Sequence, residues 1–280
     1  MIFILKAISQ KIYGWQTMKY KYFFTITAGR TGSAWLTEFL GQNLSIKSVH
    51  EPLAIEDFGV RMPDIKLMRM FNTFGNTQDV REFYRKKLDE IAGFPAYAET
   101  NHTLSKCGLV ENLVEHKIAP QSCLIVLRRN FVKQCVSYIN RGDFRNITID
   151  WQWYLHQSYR NNIINFTSFE KHGLVGKALW YVYEMDARQR YYERLYADKV
   201  KIFSTILEEI TNEVGAKEFL KRIGHKGKIV LPEAQNTNRV KTDTDLTSHV
   251  RQLIGGLNYD GDAIVGRYLE NGRTLSLTNV

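Results

Sequence analysis

Cysteine is scarce in this 280-residue chain: there are three, Cys107, Cys123 and Cys135, an odd number with no CxxC spacing. That excludes a disulfide framework and a thiolate zinc site, and it makes a reducing cytoplasm the expected location. Proline is sparse too, with five residues spread along the chain and no Pro/Ser-rich linker, low-complexity run or internal repeat. Long apolar runs are missing. Met1–Ile8 is apolar, but Lys6 and Gln10 interrupt it far short of the ~20 residues needed to span a bilayer. The order of a signal peptide is missing as well, so no membrane association is expected. No cluster of metal-ligand residues is visible, and no metal is expected.

What is present is an ordinary globular mixture, 44% hydrophobic and 24% charged, which excludes a disordered tail or a collagen-like rod. Lys and Arg number 38 against 29 Asp and Glu, a net +9 that favours an anionic partner. The basic residues form no tight cluster interleaved with aromatics, so nucleic acid is disfavoured. Residues 18–280 read as a single domain. Residues 1–17 read either as an annexed peripheral helix (Ile4, Ile8, Ile12, Trp15) or as an ordinary first helix. Met18 stands directly before the first convincing strand, as a natural start would.

Strand patterns fall at Tyr22–Thr27, Ile46–Val49, Ser122–Leu127 and Val200–Ser204, short and rich in β-branched or aromatic residues. Helical patterns fall at Ala34–Leu40, Thr77–Ile91, Phe131–Asn140, Trp151–Ile164, Leu174–Tyr196 and Glu208–Ile223. Alternation of this kind predicts an α/β protein with a central parallel sheet flanked by helices. Ligands in such sheets bind at the carboxyl ends of the strands.

The first strand runs into Thr27-Ala28-Gly29-Arg30-Thr31-Gly32-Ser33, then a helix with Gly41 as its expected C-cap. A tight two-glycine loop opening a helix is a ready anion site, because free backbone N–H groups and the positive end of the dipole face the bound group. Ser33 adds a hydroxyl and Arg30 a forked cation. The loop is not a Walker A motif: Ala28 stands four residues before Gly32, and Ser33 occupies the Lys position. Taken alone it is also compatible with a plain strand–turn–helix corner. About a hundred residues later Leu124–Leu127 leads into Arg128-Arg129-Asn130 and a helix carrying Ser137 and Tyr138. Arg129 and Ser137 suit a second phosphate, although each alone would pass for a solvated surface residue.

Together the two segments resemble the 5′-phosphosulfate loop and the 3′-phosphate motif of sulfotransferases that use 3′-phosphoadenosine 5′-phosphosulfate (PAPS). Gly29, Arg30, Thr31, Gly32, Ser33 and Ala34 match the first motif, and Arg129-Asn130-Phe131 with Ser137-Tyr138 match the second. His50-Glu51-Pro52, Glu99-Thr100-Asn101-His102 and a helix with Trp180, Glu184 and Arg188 are similar to features of bacterial and carbohydrate-type members. The resemblance covers roughly residues 20–225 and implies a P-loop-like sulfotransferase fold. It also implies PAPS as donor, PAP as product, and a small-molecule acceptor. The chain further resembles cyanobacterial natural-product sulfotransferases, including those that tailor saxitoxin-type alkaloids. It departs from the pattern at Ala34 (usually Ser/Thr), Asn130 (usually Asp) and Phe131 (usually Pro). The glycine-rich C-terminal loop is missing, with Arg239 and Lys241 as weak substitutes.

By that resemblance Arg30 serves the leaving oxygen and Ser33 with the loop amides holds the 5′ phosphate. Arg129, Ser137 and Arg239 fall to the 3′ phosphate. Glu51 is the first candidate for general base and His102, oriented by Glu99, the second. His50 is expected to point away from Glu51 if the strand is still extended there. Trp151–Tyr154 and Tyr181–Tyr183 wall an acceptor pocket or belong to the core, and Arg188, Arg190 and Arg194 read as a solvated face. A polar cationic acceptor would want Glu51, Glu99 or Asp57. The alternatives are a P-loop-type kinase using ATP and a non-catalytic nucleotide-binding scaffold. Homo-oligomerisation stays open.

Overall fold

The computed structural model describes residues 18–52, 61–233 and 243–276. Residues 1–17, Asp57, Arg239 and Lys241 lie outside them, and the expectations placed on those residues lie there too. Five parallel strands form one sheet: β1 (Tyr22–Ile26), β2 (Lys47–His50), β3 (Tyr97–Thr100), β4 (Ser122–Arg128) and β5 (Lys201–Ile206). Their order is β2-β3-β1-β4-β5, so β1 lies at the centre and the chain steps first to one side of it and then to the other. The reversal of winding opens a crevice at the carboxyl end of β1.

The strands are apolar on both faces because helices cover both. Phe23, Cys123, Ile125 and Leu127 face one layer, built on Trp35, Leu36, Phe39 and Leu40 of α1 (Ser33–Leu44) and on Phe219 and Leu220. Tyr22, Phe24, Ile26, Leu124 and Val126 face the other. That second layer holds α2 (Ile65–Phe74), α3 (Gln78–Ile91), α4 (Leu109–Leu113), α5 (Phe131–Arg141) and α8 (Gly173–Tyr196). The intervening α6 (Ile147–Trp153) and α7 (Thr167–Glu170) are short. Beyond β5 come α9 (Leu207–Ile210), α10 (Glu213–Arg222), α11 (Thr244–Leu257) and α12 (Gly261–Glu270).

The expected α/β class and parallel sheet are found, with corrections in detail. The pattern reading missed β3, a four-residue strand containing Glu99. That carboxylate tolerates full burial because Lys87 Nζ of α3 lies 2.7 Å away and Tyr97 and Asn101 donate to it. The helix expected over Trp151–Ile164 stops at Trp153. The stretch after it is irregular because buried side chains take up its backbone: Glu184 accepts from the N–H groups of Ile163 (3.0 Å) and Ile164 (2.8 Å). Arg188 holds Asn161 and Asn162 at 3.2 and 3.3 Å. Arg188 is therefore fully buried, and Asp186 is buried against Arg128 and a half-buried Arg190, an interior network where a solvated face was expected; Arg194 is exposed, as expected. The helix expected over Glu208–Ile223 breaks where Asn212 caps α10. Gly41 does not end α1, which runs on to Leu44 and closes at Ser45 (φ 54°). A Cβ on Gly41 would stand 3.2 Å from Ser48 Cβ, so the glycine lets β2 lie close to α1.

Candidate active site

The loop after β1 turns through left-handed conformations at Gly29 (φ 84°), Arg30 (φ 53°) and Gly32 (φ 80°). Successive residues of this kind turn their N–H groups toward one concavity. Gly32 stands at the N-cap of α1 and no side chain caps the helix, so its first-turn amides face the same side unspent. The loop is braced from below. Thr27 and Thr31 share a hydroxyl hydrogen bond, and Thr27 Oγ1 also donates to the Leu127 carbonyl at 3.1 Å. Thr31 thus offers a bound anion its amide and not its hydroxyl. Gln189 Nε2 of α8 ties the ends of β1 and β4 together through Ile26 O (2.9 Å) and Leu127 O (3.1 Å).

The second segment closes on the first. Arg30 Nε donates to Ser137 Oγ at 3.0 Å, and Arg129 donates to the Arg30 carbonyl at 2.8 Å. Gln134 and Tyr138 donate to the Gly29 carbonyl at 2.9 Å each. Residues about a hundred positions apart form one cradle because β4 lies beside β1, so their following loops meet. Arg128, next in sequence, is used differently, pairing with Asp186 (2.8 Å) and Glu193 (2.6 Å) to anchor β4 to α8. Burial lowers the Arg129 pKa; Glu208, 3.7 Å away, opposes this and the neighbouring Arg30 adds to it. The atom that faces Glu208 is Arg129 Nε, which is buried and ion-paired there.

Two of the departures from the sulfotransferase pattern, Asn130 and Phe131, have local reasons. Asn130 caps α5 by accepting from the Lys133 N–H at 3.1 Å, the work an Asp would do. Glu208 already accepts from the Asn130 N–H (3.3 Å), and an Asp would set two carboxylates side by side. Phe131 gives up the helix-start preference of Pro to pack edge-on against Tyr183 and Tyr259.

Across the cradle stand His50, Glu51 and His102. The chain leaves β2 by a left-handed turn at Glu51 (φ 45°), after its N–H has paired with Thr100 O. That turn brings the His50 and Glu51 side chains together instead of apart, which corrects the extended-strand expectation. Glu51 Oε1 lies 3.8 Å from Nε2 of His50 and 3.8 Å from Nε2 of His102, so the two alternative bases belong to one cluster. Ser33 Oγ is 2.9 Å from the same His50 nitrogen. His102 follows β3 in a turn held by the Asn101 side chain, which accepts from Thr103 N (2.8 Å) and Thr103 Oγ1 (2.9 Å). Its Cβ would be 3.5 Å from a Cβ on Gly29, so the glycine also makes room for the histidine.

Glu99 does not orient His102, because it is spent on Lys87. The residue at His102 Nδ1 is Lys106, 3.0 Å away, which the sequence reading did not single out. A Lys four residues after a candidate His was the available signal, but only the turn at Leu104–Lys106 directs it inward. Burial, with Lys106 adding, pushes the His102 pKa well below the usual imidazole range. Burial likewise pulls the Lys106 pKa down to about 7. Of the expected aromatic wall, Tyr154, Tyr181 and Tyr183 are core residues, while Trp151 is half exposed beneath the Arg69 guanidinium. Among the described residues an open groove of about 460 Å³ is lined by Ala34, Thr37, Glu38, Gly41, Ser48 and His50. No cluster of metal-ligating residues occurs among the described residues, nor any helix long and apolar enough to cross a membrane.

No family model and no curated protein matches the chain. Among solved structures, a sulfotransferase from Alicyclobacillus acidocaldarius is similar with a TM-score of 0.48 and 15% identity, over 91% of this chain and 96% of that one.

Proposed function

We propose that the chain is a PAPS-dependent sulfotransferase acting on a hydroxyl or nitrogen of a small molecule. The observation that supports this is the meeting of Arg30, Arg129 and Ser137 beside an uncapped helix N-terminus. Two adjacent guanidinium groups, Arg30 and Arg129, fit a ligand with two phosphate groups. PAPS, when bound, supplies the sulfuryl group and a bisphosphate leaving group.

The amides of Thr31 and Gly32 and the Ser33 hydroxyl would hold the 5′ phosphate, and Arg129 with Ser137 the 3′ phosphate. Arg30, shared between the halves, would stabilise charge that builds on the leaving oxygen; donors of this kind are commonly worth on the order of 10²–10³ in rate. Glu51 would take the acceptor's proton, with the groove past His50 and Ala34 as the acceptor's approach. Sulfuryl transfer resembles phosphoryl transfer in needing position and charge complementarity more than covalent help from the protein.

Thermal unfolding with PAP, AMP and Mg·ATP, on the wild type and Arg129→Ala, tests the reading. PAP at a hundred times its Kd is expected to add about 2.7 kcal/mol of stability, AMP and Mg·ATP far less, and Arg129→Ala is expected to lose the PAP effect. Equal stabilisation by Mg·ATP would turn the reading to a kinase. No effect of any nucleotide would leave a scaffold.

A further inference from the structure

We infer that Lys106 is a positioning residue for the proton path at Glu51: its charge state decides which nitrogen of His102 carries the proton. For its functional meaning this rests on the proposed sulfotransferase site. The geometry stands apart from it.

Lys106 Nζ is fully buried and has three partners: the Trp153 carbonyl, Tyr181 Oη at 2.9 Å and His102 Nδ1 at 3.0 Å. The Trp153 carbonyl can only accept. Tyr181 donates its own proton to the Ala28 carbonyl at 3.2 Å, so its oxygen also accepts from Lys106. Two Nζ protons are therefore committed, and the remaining position faces His102 Nδ1. In the ammonium form that position is a third proton donated to Nδ1, and the imidazole carries its hydrogen on Nε2. In the amine form it is a lone pair, which requires a hydrogen on Nδ1 and leaves Nε2 bare. Nε2 is the nitrogen that faces Glu51.

The change between the two forms balances as one proton lost. The Nε2 hydrogen leaves toward the Glu51 carboxylate or water, and a lysine hydrogen crosses to Nδ1. Burial keeps the imidazolium out of reach, so His102 changes tautomer without becoming charged. The charged groups that act on Lys106 are Glu51, which favours its charge, and Arg188, which opposes it; burial pushes the adjacent Cys107 thiol up to about 12, so it stays neutral. The faces of Tyr154 and Tyr181 also lie over it, and His50 and Arg141 act on His102 from beyond Glu51 and from the end of α5. With Lys106 charged, His102 shows Glu51 an N–H and supports it as the ionised base. With Lys106 neutral, the basic lone pair is on His102 itself. The two candidate bases thus become two states of one unit.

Nitrogen-15 NMR of the ligand-free full chain, labelled at histidine and assigned with His102→Asn, reads the tautomer directly. The wild type is expected to show Nε2–H at about pH 6 and Nδ1–H at about pH 9, on either side of the Lys106 titration. Lys106→Met is expected to hold one tautomer throughout. A wild-type tautomer that does not change, or a Lys106→Met variant that changes as the wild type does, overturns the inference. Should that variant not fold, Tyr181→Phe decides: removing an ammonium acceptor lowers the midpoint of the change, and an unmoved midpoint counts against Lys106. PAP binding in the same samples separates the two ideas. Binding with a fixed tautomer removes only the Lys106 unit, whereas a changing tautomer without binding keeps it and removes the sulfotransferase reading.

Discussion

Glu51 is constrained in both backbone and side chain. A non-glycine residue in the left-handed region costs on the order of 1 kcal/mol, and here that turn sets the carboxylate between two imidazoles. Glu51 touches the loop after β1 only through His50, whose Nε2 it shares with Ser33, and contacts neither Arg129 nor Ser137, so the two proposed functions are expected to separate in a variant. Glu51→Gln keeps the shape and removes the proposed base. The PAP-induced thermal shift is expected to stay at the wild-type value, while turnover with any acceptor that proves active falls by about 10²–10⁴. Turnover that survives Glu51→Gln and disappears in His102→Gln would transfer the base role to the imidazole. None of this grouping is legible along the chain, where Glu51 and His102 are 51 positions apart. It exists because β2 and β3 are neighbours and end level with one another.

At the scale of elements, the unit of β1, its loop and α1 was readable from residue types alone, because glycine spacing, strand composition and helix period agree there. Gly32 shows how tightly that unit is specified. Its φ is +80°, and a Cβ would stand 2.6 Å from Leu207 Cδ1 of α9. Gly32→Ala is expected to cost about 1–3 kcal/mol, seen as a lower Tm. It is also expected to weaken PAP binding, because the strain falls on the amides that would hold the 5′ phosphate. An unchanged Tm with normal PAP binding would mean the loop relaxes freely. Where sequence reading failed, long-range partners were the cause. β3 can hold a buried Glu99 because Lys87 neutralises it, and the stretch after Trp153 is irregular where Glu184 and Arg188 bind its backbone and its asparagines. Local pattern carries no record of a buried ion pair or of a carboxylate reaching in from another helix. The same is true of Lys106, an ordinary lysine until its turn buries it.

Several titratable groups among the described residues are buried behind the sheet, Glu111, His102 and Lys106 among them, and their opposing shifts shape stability against pH. Glu111 on α4 is the clearest: it is buried, and desolvation outweighs the help of the Tyr192 hydroxyl and raises its pKa from 4.5 to about 7. A raised carboxylate binds its proton more tightly in the folded state, so its contribution is full below pH 4.5 and is lost as pH climbs toward 7. His102 acts in the opposite sense, since its lowered pKa costs stability as pH falls below the ordinary imidazole value. Lys106 extends that opposition upward, its contribution being present above about 10.5 and lost as pH falls toward about 7. A raw stability curve mixes these slopes, but a difference curve does not. Subtracting Glu111→Gln from the wild type cancels the histidine and the lysine and leaves one carboxylate. Relative to its value at pH 4.5, the wild type is expected to lose about 3 kcal/mol against the variant by about pH 7, with no further change above that. Urea unfolding at several pH values measures the difference. A flat difference curve would mean that water or a shift of α4 solvates Glu111, and the buried face behind β1 would then be wetter than its packing implies.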